Sequence, residues 1–196
     1  MLFRSPAEHP QSYRTFMRQH LFDAIDLPPN QAHFPPSEGS ELERRCDDYE
    51  KRIKELGGID IQLLGIGRNG HIGFNEPTSS LALRTRIKTL TDRTLEDNAR
   101  FYAPGEHQPV LSVTMGIGTI LDAREILLQA VGSKKAEAVQ SMVEGPVSSF
   151  FPASALQLHA RTTGYFDPDA ASLLTMRAYY EKTRGYELAL RKAGRL

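Results

Sequence analysis

The sequence predicts an α/β protein built on an open, largely parallel sheet with helices on both faces, a Rossmann-like arrangement. Short runs rich in branched apolar residues alternate with segments of helical periodicity, which is typical of this class. The strongest of these runs ends in a glycine-rich turn, the usual place for a ligand in such a sheet. No internal repeat or linker divides the 196 residues, so we expect residues 1–196 to form a single domain.

The N-terminal quarter is predicted to be helical. Apolar residues recur at three- and four-residue steps over residues 12–25, which indicates an amphipathic helix ended by a Pro-rich connector. A second helix is predicted over residues 42–56, and Ser40 with Glu43 has the spacing of a capping box at its start. Cys46 falls on the apolar stripe of this helix, so we expect a core residue and not a reactive thiol.

The first run with the character of a buried parallel strand is residues 59–64. Comparable strand-like runs and helical segments follow it: strands at 84–90, 110–115, 125–131 and 162–166, and helices at 94–101, 134–143 and 170–182. An open parallel sheet normally begins with a strand, whereas this chain begins with helices. We therefore expect the fold to be incomplete at its N-terminus.

Composition excludes several classes of partner. The chain has 24 Lys and Arg against 24 Asp and Glu, a balance that favours neither nucleic acid nor an anionic membrane. One cysteine rules out an internal disulfide framework and a cysteine-based zinc cluster. No apolar stretch approaches the roughly 20 residues of a membrane span, and the start Met1-Leu2-Phe3-Arg4 lacks the apolar region of a signal peptide. We expect a soluble, cytoplasmic protein.

The strand at 59–64 leads into a formal G-x-G-x-x-G motif at residues 65–70. A dinucleotide site needs a helix that begins inside this motif, so that the pyrophosphate lies at the helix N-terminus. Gly73 and Pro77 follow closely and oppose such a helix. We therefore expect a loop here and no nicotinamide cofactor.

The same loop carries Asn69, His71 and Glu76 within eight residues. An imidazole exchanges protons near neutral pH, and a neighbouring carboxylate can fix its tautomer. This combination is typical of general acid–base sites. The plainer alternative is that the histidine and the glutamate merely decorate a turn.

Basic residues suggest two places for an anion. A helix is predicted to start within residues 132–136, where a lysine and free N–H groups would suit a phosphate as well as an ordinary helix start. Arg84, Arg86 and Lys88 alternate along one predicted strand and should share a face, which is either solvated or a second anion site. Arg100 lies near the end of a predicted helix, where an arginine normally interacts with the helix dipole.

Within residues 63–77, residues 65–77 follow the pattern G-x-G-x-[DN]-G-H-I-x-F-N-E-P, and this stretch resembles the glucosamine-6-phosphate deaminase family. The related 6-phosphogluconolactonases share the Gly-Asp-Gly-His core of this pattern but not the Phe-Asn-Glu-Pro that follows it. Further matches in family order, from residues 8–10 to residues 156–159, extend the resemblance over nearly the whole chain.

The resemblance implies an enzyme that converts glucosamine 6-phosphate and water to fructose 6-phosphate and ammonia, without a metal or an organic cofactor. His71 would be the acid–base group that opens the sugar ring at its ring oxygen. Glu76 and Asn69 would orient and tune it. Some relatives have Asp where this chain has Asn69, so we expect Glu76 to hold the imidazole alone.

The resemblance also implies two anion sites. Arg100 and Lys135 match the clamp that binds the substrate phosphate. Ser79, Arg86 and Lys88 match the effector-phosphate site of the allosteric members of the family.

One departure from the family pattern stands out. Relatives have a phosphate loop after their first strand and an Asp, at the end of a later strand, that abstracts the C2 proton; neither is found in this sequence. We expect activity to need a complementing N-terminal segment, and a homo-oligomer is a further expected assembly. The alternatives are a non-catalytic sugar-phosphate-binding or subunit module, and an enzyme that acts on a related amino-sugar phosphate.

Overall fold

The structure is a computed structural model that describes residues 8–195. The chain start discussed above, Met1-Leu2-Phe3-Arg4, lies outside this range. The helices and strands follow one another in this order: α1 Tyr13–His20, α2 Leu42–Glu55, β1 Ile61–Gly65, β2 Arg86–Thr89, α3 Asp92–Ala99, β3 Leu111–Thr114, α4 Ile117–Leu121, β4 Glu125–Ala130, α5 Ala136–Glu144, β5 Thr162–Phe166 and α6 Arg177–Lys192. Short 3-10 helices occupy Phe22–Ala24, Pro29–Gln31, Ser133–Lys135 and Pro152–Leu158.

A three-stranded parallel sheet is the centre of the fold, with the order β1-β4-β5. One face of this sheet is buried, because the branched side chains of Leu64, Ile126 and Leu128 pack in one cluster with Val139 of α5. Ile126, Leu128 and Val139 are completely excluded from solvent. The predicted α/β class with a parallel sheet is confirmed.

The opposite face of the sheet is open. Ile61 and Leu63 of β1 alternate with the buried Leu64, and their side chains are 59% and 69% exposed. Tyr165 of β5 lies on the same face and is 56% exposed. We expected helices on both faces, but within residues 8–195 none covers these three side chains. Parallel sheets are normally buried on both faces, so this face is unusual.

The predicted strands at 84–90 and 110–115 form, but they do not join the parallel sheet. They are β2 and β3, which pair with each other antiparallel in a separate two-stranded sheet. The prediction that they belong to the parallel sheet was wrong, because branched apolar composition marks a strand without fixing its partner.

The first two helices differ in detail from the prediction. Helix α1 ends at His20 and a 3-10 turn follows it, so the regular helix is shorter than residues 12–25. Ser12 caps α1, with its hydroxyl accepting a hydrogen bond from the Thr15 N–H at 3.0 Å. The capping box predicted at Ser40 was wrong: Glu41 precedes α2 in a left-handed conformation (φ 54°), and no side chain of residues 8–195 caps the helix. Cys46 is 1% exposed, which confirms its place in the core.

The later helices agree less well with the prediction. Helices α3 and α5 lie within two residues of the predicted segments. Helix α6 begins at Arg177, seven residues after the predicted start, because the Ala170 N–H is held by the Asp167 carboxylate at 2.8 Å and the chain turns there. Helix α4 and the 3-10 helix Pro152–Leu158 were not predicted. Within residues 8–195 no helix has the length and apolar character needed to cross a bilayer.

A buried carboxylate connects α2 to the two-stranded sheet and to α4. Glu50 is 7% exposed and accepts hydrogen bonds from the Thr85 N–H at 2.9 Å and from the hydroxyls of Thr85 and Thr119. The Arg84 guanidinium donates two more, at 3.0 and 2.7 Å. Burial alone raises the pKa of Glu50, but these hydrogen bonds outweigh it and lower the pKa. Glu50 is therefore an ionised group that fixes three elements in place.

Candidate active site

The residues of the predicted acid–base loop and Lys135 lie at the carboxyl end of the parallel sheet. Strands β1 and β4 are neighbours and run in the same direction, so their carboxyl ends lie side by side. The loop after β1 carries Asn69, His71 and Glu76, and the turn after β4 carries Lys135. The Lys135 Nζ donates to the Ile66 carbonyl at 2.7 Å, which joins the two segments directly. The carboxyl end of the strands is where open α/β sheets bind their ligands.

The loop after β1 has no helix between residues 66 and 85, as predicted, so it lacks the helix N-terminus of a dinucleotide site. Gly67 instead leaves room for the His71 ring. A Cβ at this position would overlap the His71 ring, so the ring can lie against the backbone only because residue 67 has no side chain. Gly70 has φ +80°, and a Cβ there would collide with the Phe151 ring. Both glycines are needed for the shape of the loop.

His71 is held by one of its two ring nitrogens. Its Nδ1 lies 3.5 Å from the Glu76 Oε2 and 3.4 Å from the Thr94 hydroxyl. The His71 side chain is 17% exposed, and the Phe74 ring packs beside it at 5.9 Å between centroids. No residue in the described range bonds to Nε2. The geometry therefore leaves Nε2 as the atom that can exchange a proton with a ligand.

Glu76 is almost completely buried and is held by polar neighbours. Its Oε2 accepts hydrogen bonds from the Asn69 amide at 2.7 Å and from the Thr91 hydroxyl at 3.1 Å. Burial raises the pKa of Glu76, but hydrogen bonds from His71, Thr94 and Asn69, together with the charge of His71, lower it to about 2. The carboxylate is therefore ionised wherever the protein is folded at ordinary pH.

Asn69, Thr91 and Thr94 contact the Glu76 carboxylate or the His71 imidazole and hold them in place. We expected Glu76 to hold the imidazole alone, whereas the Thr94 hydroxyl contacts the imidazole as well and Thr91 braces the carboxylate. The Asn69 amide donates a hydrogen bond to Glu76, whereas an Asp at this position would place a second negative charge beside that carboxylate. Sequence reasoning missed both threonines. The signal available in the sequence was that both threonines lie at the start of α3, the helix after β2. Only the tertiary fold brings the start of α3 to the loop after β1.

The acid titration of Glu76 gives a measurable prediction. A carboxylate whose pKa is lowered from 4.5 to about 2 on folding stabilises the protein above pH 4.5, and this stabilisation is lost as the pH falls towards 2. We expect urea unfolding to show a difference between the parent and Glu76→Gln that shrinks by about 3 kcal/mol between pH 5 and pH 2. Glu137→Gln, at an exposed position of α5, is the control. A difference that does not depend on pH would contradict the prediction.

Charged side chains cluster around Lys135 on the outer side of the site. The Arg68 guanidinium forms a two-pronged ion pair with Asp97 of α3, with Nε–Oδ2 at 2.9 Å. Burial lowers the pKa of Lys135, as do the charges of Arg68 and Arg100, while Asp97 raises it. Arg100 follows the last residue of α3 and lies over the Phe101 ring at 4.8 Å. The charge of Arg100 thus acts on Lys135, and Arg68 and Asp97, which sequence reasoning missed, lie in the same region. The phosphate clamp of Arg100 and Lys135 stays a prediction.

Two of the N–H groups at residues 132–136 have acceptors within the protein. The Gly132 N–H donates to both oxygens of the Asp167 carboxylate at 3.0 Å, and the Lys135 N–H donates to the Gly132 carbonyl. A 3-10 turn precedes α5 here. The Lys135 ammonium is the charged group that this turn offers to an anion.

The second predicted anion site is only partly assembled. Arg84 precedes β2 and is engaged by Glu50 and Asp122, so it does not belong to a basic stripe with Arg86 and Lys88. The Arg86 Nη1 donates to the Asn75 side chain at 2.9 Å. Among the residues described, the side chains of Ser79, Arg86 and Lys88 make no hydrogen bond to one another. The Ser79 hydroxyl and the Arg86 Nη2 are buried without a hydrogen-bond partner in the same range.

Comparison with known proteins identifies the family of the chain. The profile of a family described as glucosamine-6-phosphate isomerases/6-phosphogluconolactonase matches residues 4–164. This chain belongs to that family. A glucosamine-6-phosphate deaminase of Marinomonas sp. (strain MWYL1) is 57% identical over 176 residues, which are 88% of this chain and 66% of the relative. The deaminase of Hahella chejuensis (strain KCTC 2396) is 54% identical over 187 residues, 95% of this chain and 71% of the relative.

Solved structures of the family agree with the fold. A monomeric glucosamine-6-phosphate deaminase superposes with a TM-score of 0.84 at 45% identity, covering 88% of this chain and 71% of the other. A 6-phosphogluconolactonase from Trypanosoma brucei superposes with a TM-score of 0.70 at 18% identity, over 89% of this chain and 72% of the other, and so shares the fold alone. This chain spans about two thirds of the length of these family members.

The site offers protons and positive charge. Within residues 8–195 no group of three or more His, Cys, Asp and Glu side chains is placed to hold a metal ion. The chemistry available from the described residues is proton exchange at His71 and electrostatic binding of an anion near Lys135. These two capacities lie next to each other because β1 and β4 are adjacent.

Proposed function

We propose that this chain carries the ring-opening and phosphate-binding part of a cytoplasmic glucosamine-6-phosphate deaminase, the activity that its relatives' names state. The observation that supports the proposal best is that His71 lies against the buried Glu76 in the loop after β1. Lys135 lies in the turn after β4, the strand next to β1. A proton-exchanging group in the loop next to an anion site suits a phosphorylated sugar whose ring oxygen receives the proton.

The chemistry follows from the contacts of His71. Nδ1 faces Glu76 and Thr94, so Nε2 donates a proton to the ring oxygen of glucosamine 6-phosphate as the C1–O5 bond breaks, while the C1 hydroxyl gives up its proton to water and becomes the aldehyde carbonyl. The Glu76 carboxylate stabilises the imidazolium before the transfer. The phosphate, held by Lys135 and Arg100 at the far end of the sugar, uses binding energy remote from the reacting atoms to position the ring.

The remaining steps need groups that the resemblance places in a segment outside these 196 residues. The proton-abstracting Asp and the first phosphate loop of the family would come from that complementing segment. The open face of the sheet supports this idea: β1 pairs on one side only within residues 8–195, and Ile61 and Leu63 are exposed beside its free edge. A strand that pairs with β1 and brings a helix onto this face would bury both side chains.

We also propose that Ser79, Arg86 and Lys88 bind an effector phosphate. Burial lowers the pKa of Arg86, and its Nη2 has no partner among the described residues, nor has the Ser79 hydroxyl. Buried polar groups are normally hydrogen-bonded, so two unsatisfied ones favour a ligand that supplies acceptors.

Ring opening can be tested without the rest of the reaction, because interconversion of the two anomers of glucosamine 6-phosphate needs only His71 and the phosphate site. We expect this chain to accelerate anomer exchange, measured by saturation-transfer NMR, and Lys135→Ala to weaken that effect. Exposed Lys134→Ala is the matched control. Formation of fructose 6-phosphate is measured in parallel, with and without a supplied N-terminal segment from a relative.

The outcomes separate the alternatives. Anomer exchange with turnover only in the presence of the added segment supports the proposal. Binding of glucosamine 6-phosphate without anomer exchange would instead identify a non-catalytic binding module. Anomer exchange at the background rate together with no binding would refute both readings.

A further inference from the structure

Asp97 is a carboxylate placed among cations at the proposed phosphate site. Its hydrogen bonds with Arg68 lower the pKa of Asp97 most, and Lys135 and Arg93 act in the same direction. The side chains of Arg68 and Asp97 are only 32% and 37% exposed. Asp97 therefore supplies negative charge in the region where Lys135 and Arg100 would hold a phosphate.

The Arg68–Asp97 pair is two-pronged and joins two segments that are distant in the chain. Arg68 follows β1 and Asp97 lies in α3, 29 positions later, so the pair forms only when the two segments meet. A guanidinium binds a carboxylate and a phosphate with the same fork of N–H donors. While Asp97 occupies that fork, Arg68 is not available to a phosphate.

We propose that Asp97 is a resident counter-anion of the phosphate site, which competes with the ligand phosphate for Arg68 and reduces the positive field at Lys135. The proposal rests on the proposed phosphate site but not on deaminase turnover. Three cations close together repel one another when the site is empty, and Asp97 offsets that repulsion. A phosphate dianion can take over this role, with Arg68 turning from the carboxylate to the ligand.

The opposing interpretation is that the pair simply fastens α3 to the loop after β1. The two interpretations predict opposite results for one substitution. If Asp97 competes with phosphate, removing its charge tightens phosphate binding. If the pair only fastens α3, removing the charge loosens the site and weakens phosphate binding.

Titration of the full chain with inorganic phosphate, followed by calorimetry at low salt, distinguishes them. We expect Asp97→Asn to bind phosphate about fivefold more tightly than the parent, and Arg68→Gln about fivefold more weakly, the scale of one partly exposed charge pair. The double variant should lie between the two. Asp92→Asn, which removes an exposed carboxylate from the first turn of the same helix, is the control and should change affinity less than twofold.

The result that overturns the proposal is phosphate binding by Asp97→Asn that is equal to or weaker than that of the parent, including the case in which neither binds. Urea unfolding of each variant checks that the folded fraction is the same. A chain that leaves anomer exchange of glucosamine 6-phosphate at the background rate and gives no turnover with the added segment, yet gains phosphate affinity with Asp97→Asn, would refute the proposed enzyme and leave this inference intact.

Discussion

Glu50→Ala is expected to lower the free energy of unfolding by about 3–5 kcal/mol, because it removes the common acceptor of a buried network. The substitution leaves the Thr85 N–H and the Thr119 hydroxyl buried without their acceptor, and leaves Arg84 without its inner partner. Loss of an acceptor from buried donors costs the full desolvation of each donor. Urea unfolding at neutral pH measures the change.

Asp122→Ala is the matched control for this prediction. Asp122 accepts from the same guanidinium at 2.6 Å, but its side chain is 64% exposed. Exposed ion pairs contribute about 0–1 kcal/mol, so we expect a small effect. If the two variants lost equal stability, the buried network would not be what holds α2 to β2 and α4.

His71→Gln is expected to slow anomer exchange of glucosamine 6-phosphate by about 10²–10⁴-fold, the usual contribution of a positioned acid–base group. Inorganic phosphate affinity should stay within about twofold of the parent, because the phosphate is proposed to bind at Lys135 and not at the imidazole. Saturation-transfer NMR measures the first quantity and calorimetry the second. A pre-opened sugar analogue, turned over in the presence of the complementing segment, should be relatively spared.

His107→Gln, at an exposed position of the chain, controls for the general effect of replacing a histidine. Equal losses with the cyclic sugar and with the pre-opened analogue would show that His71 does not act in ring opening. A parallel fall in phosphate affinity would show that it acts in binding instead.

The central part of the site was predictable because it is local in sequence. Asn69, His71 and Glu76 lie in one loop, and the strand before it is marked by branched apolar residues, so their meeting at the end of β1 follows from the pattern alone. Lys135 was predictable for a related reason, since it follows a second strand of the same kind, and neighbouring parallel strands end at one edge.

The contacts that sequence reasoning missed join segments far apart in the chain. Arg68 and Asp97 are 29 positions apart, and Thr94 meets the imidazole 23 positions away. No periodicity connects such residues, because their approach depends on where α3 packs. The pairing of β2 with β3 was missed for the same reason: strand propensity does not specify a partner or a direction.

Helix ends were also difficult to predict. Ser40 and Glu43 have the capping-box spacing, yet the chain adopts a left-handed conformation at Glu41 and starts α2 one residue later. Around residue 170, Asp167 holds the backbone N–H groups of Gly132 and Ala170, which fixes a turn where composition favoured a helix. In both cases a local conformation or a tertiary contact overrides propensity.

The free edge of β1 has a consequence for how the protein behaves at high concentration. An unpaired strand edge with apolar neighbours is a template for any extended chain, including another copy of itself. Ile61 and Leu63 carry no charge that would discourage such pairing. The proposed complementing segment and self-association would therefore compete for the same edge, and we expect the yield of the proposed complex to depend on which of the two reaches β1 first.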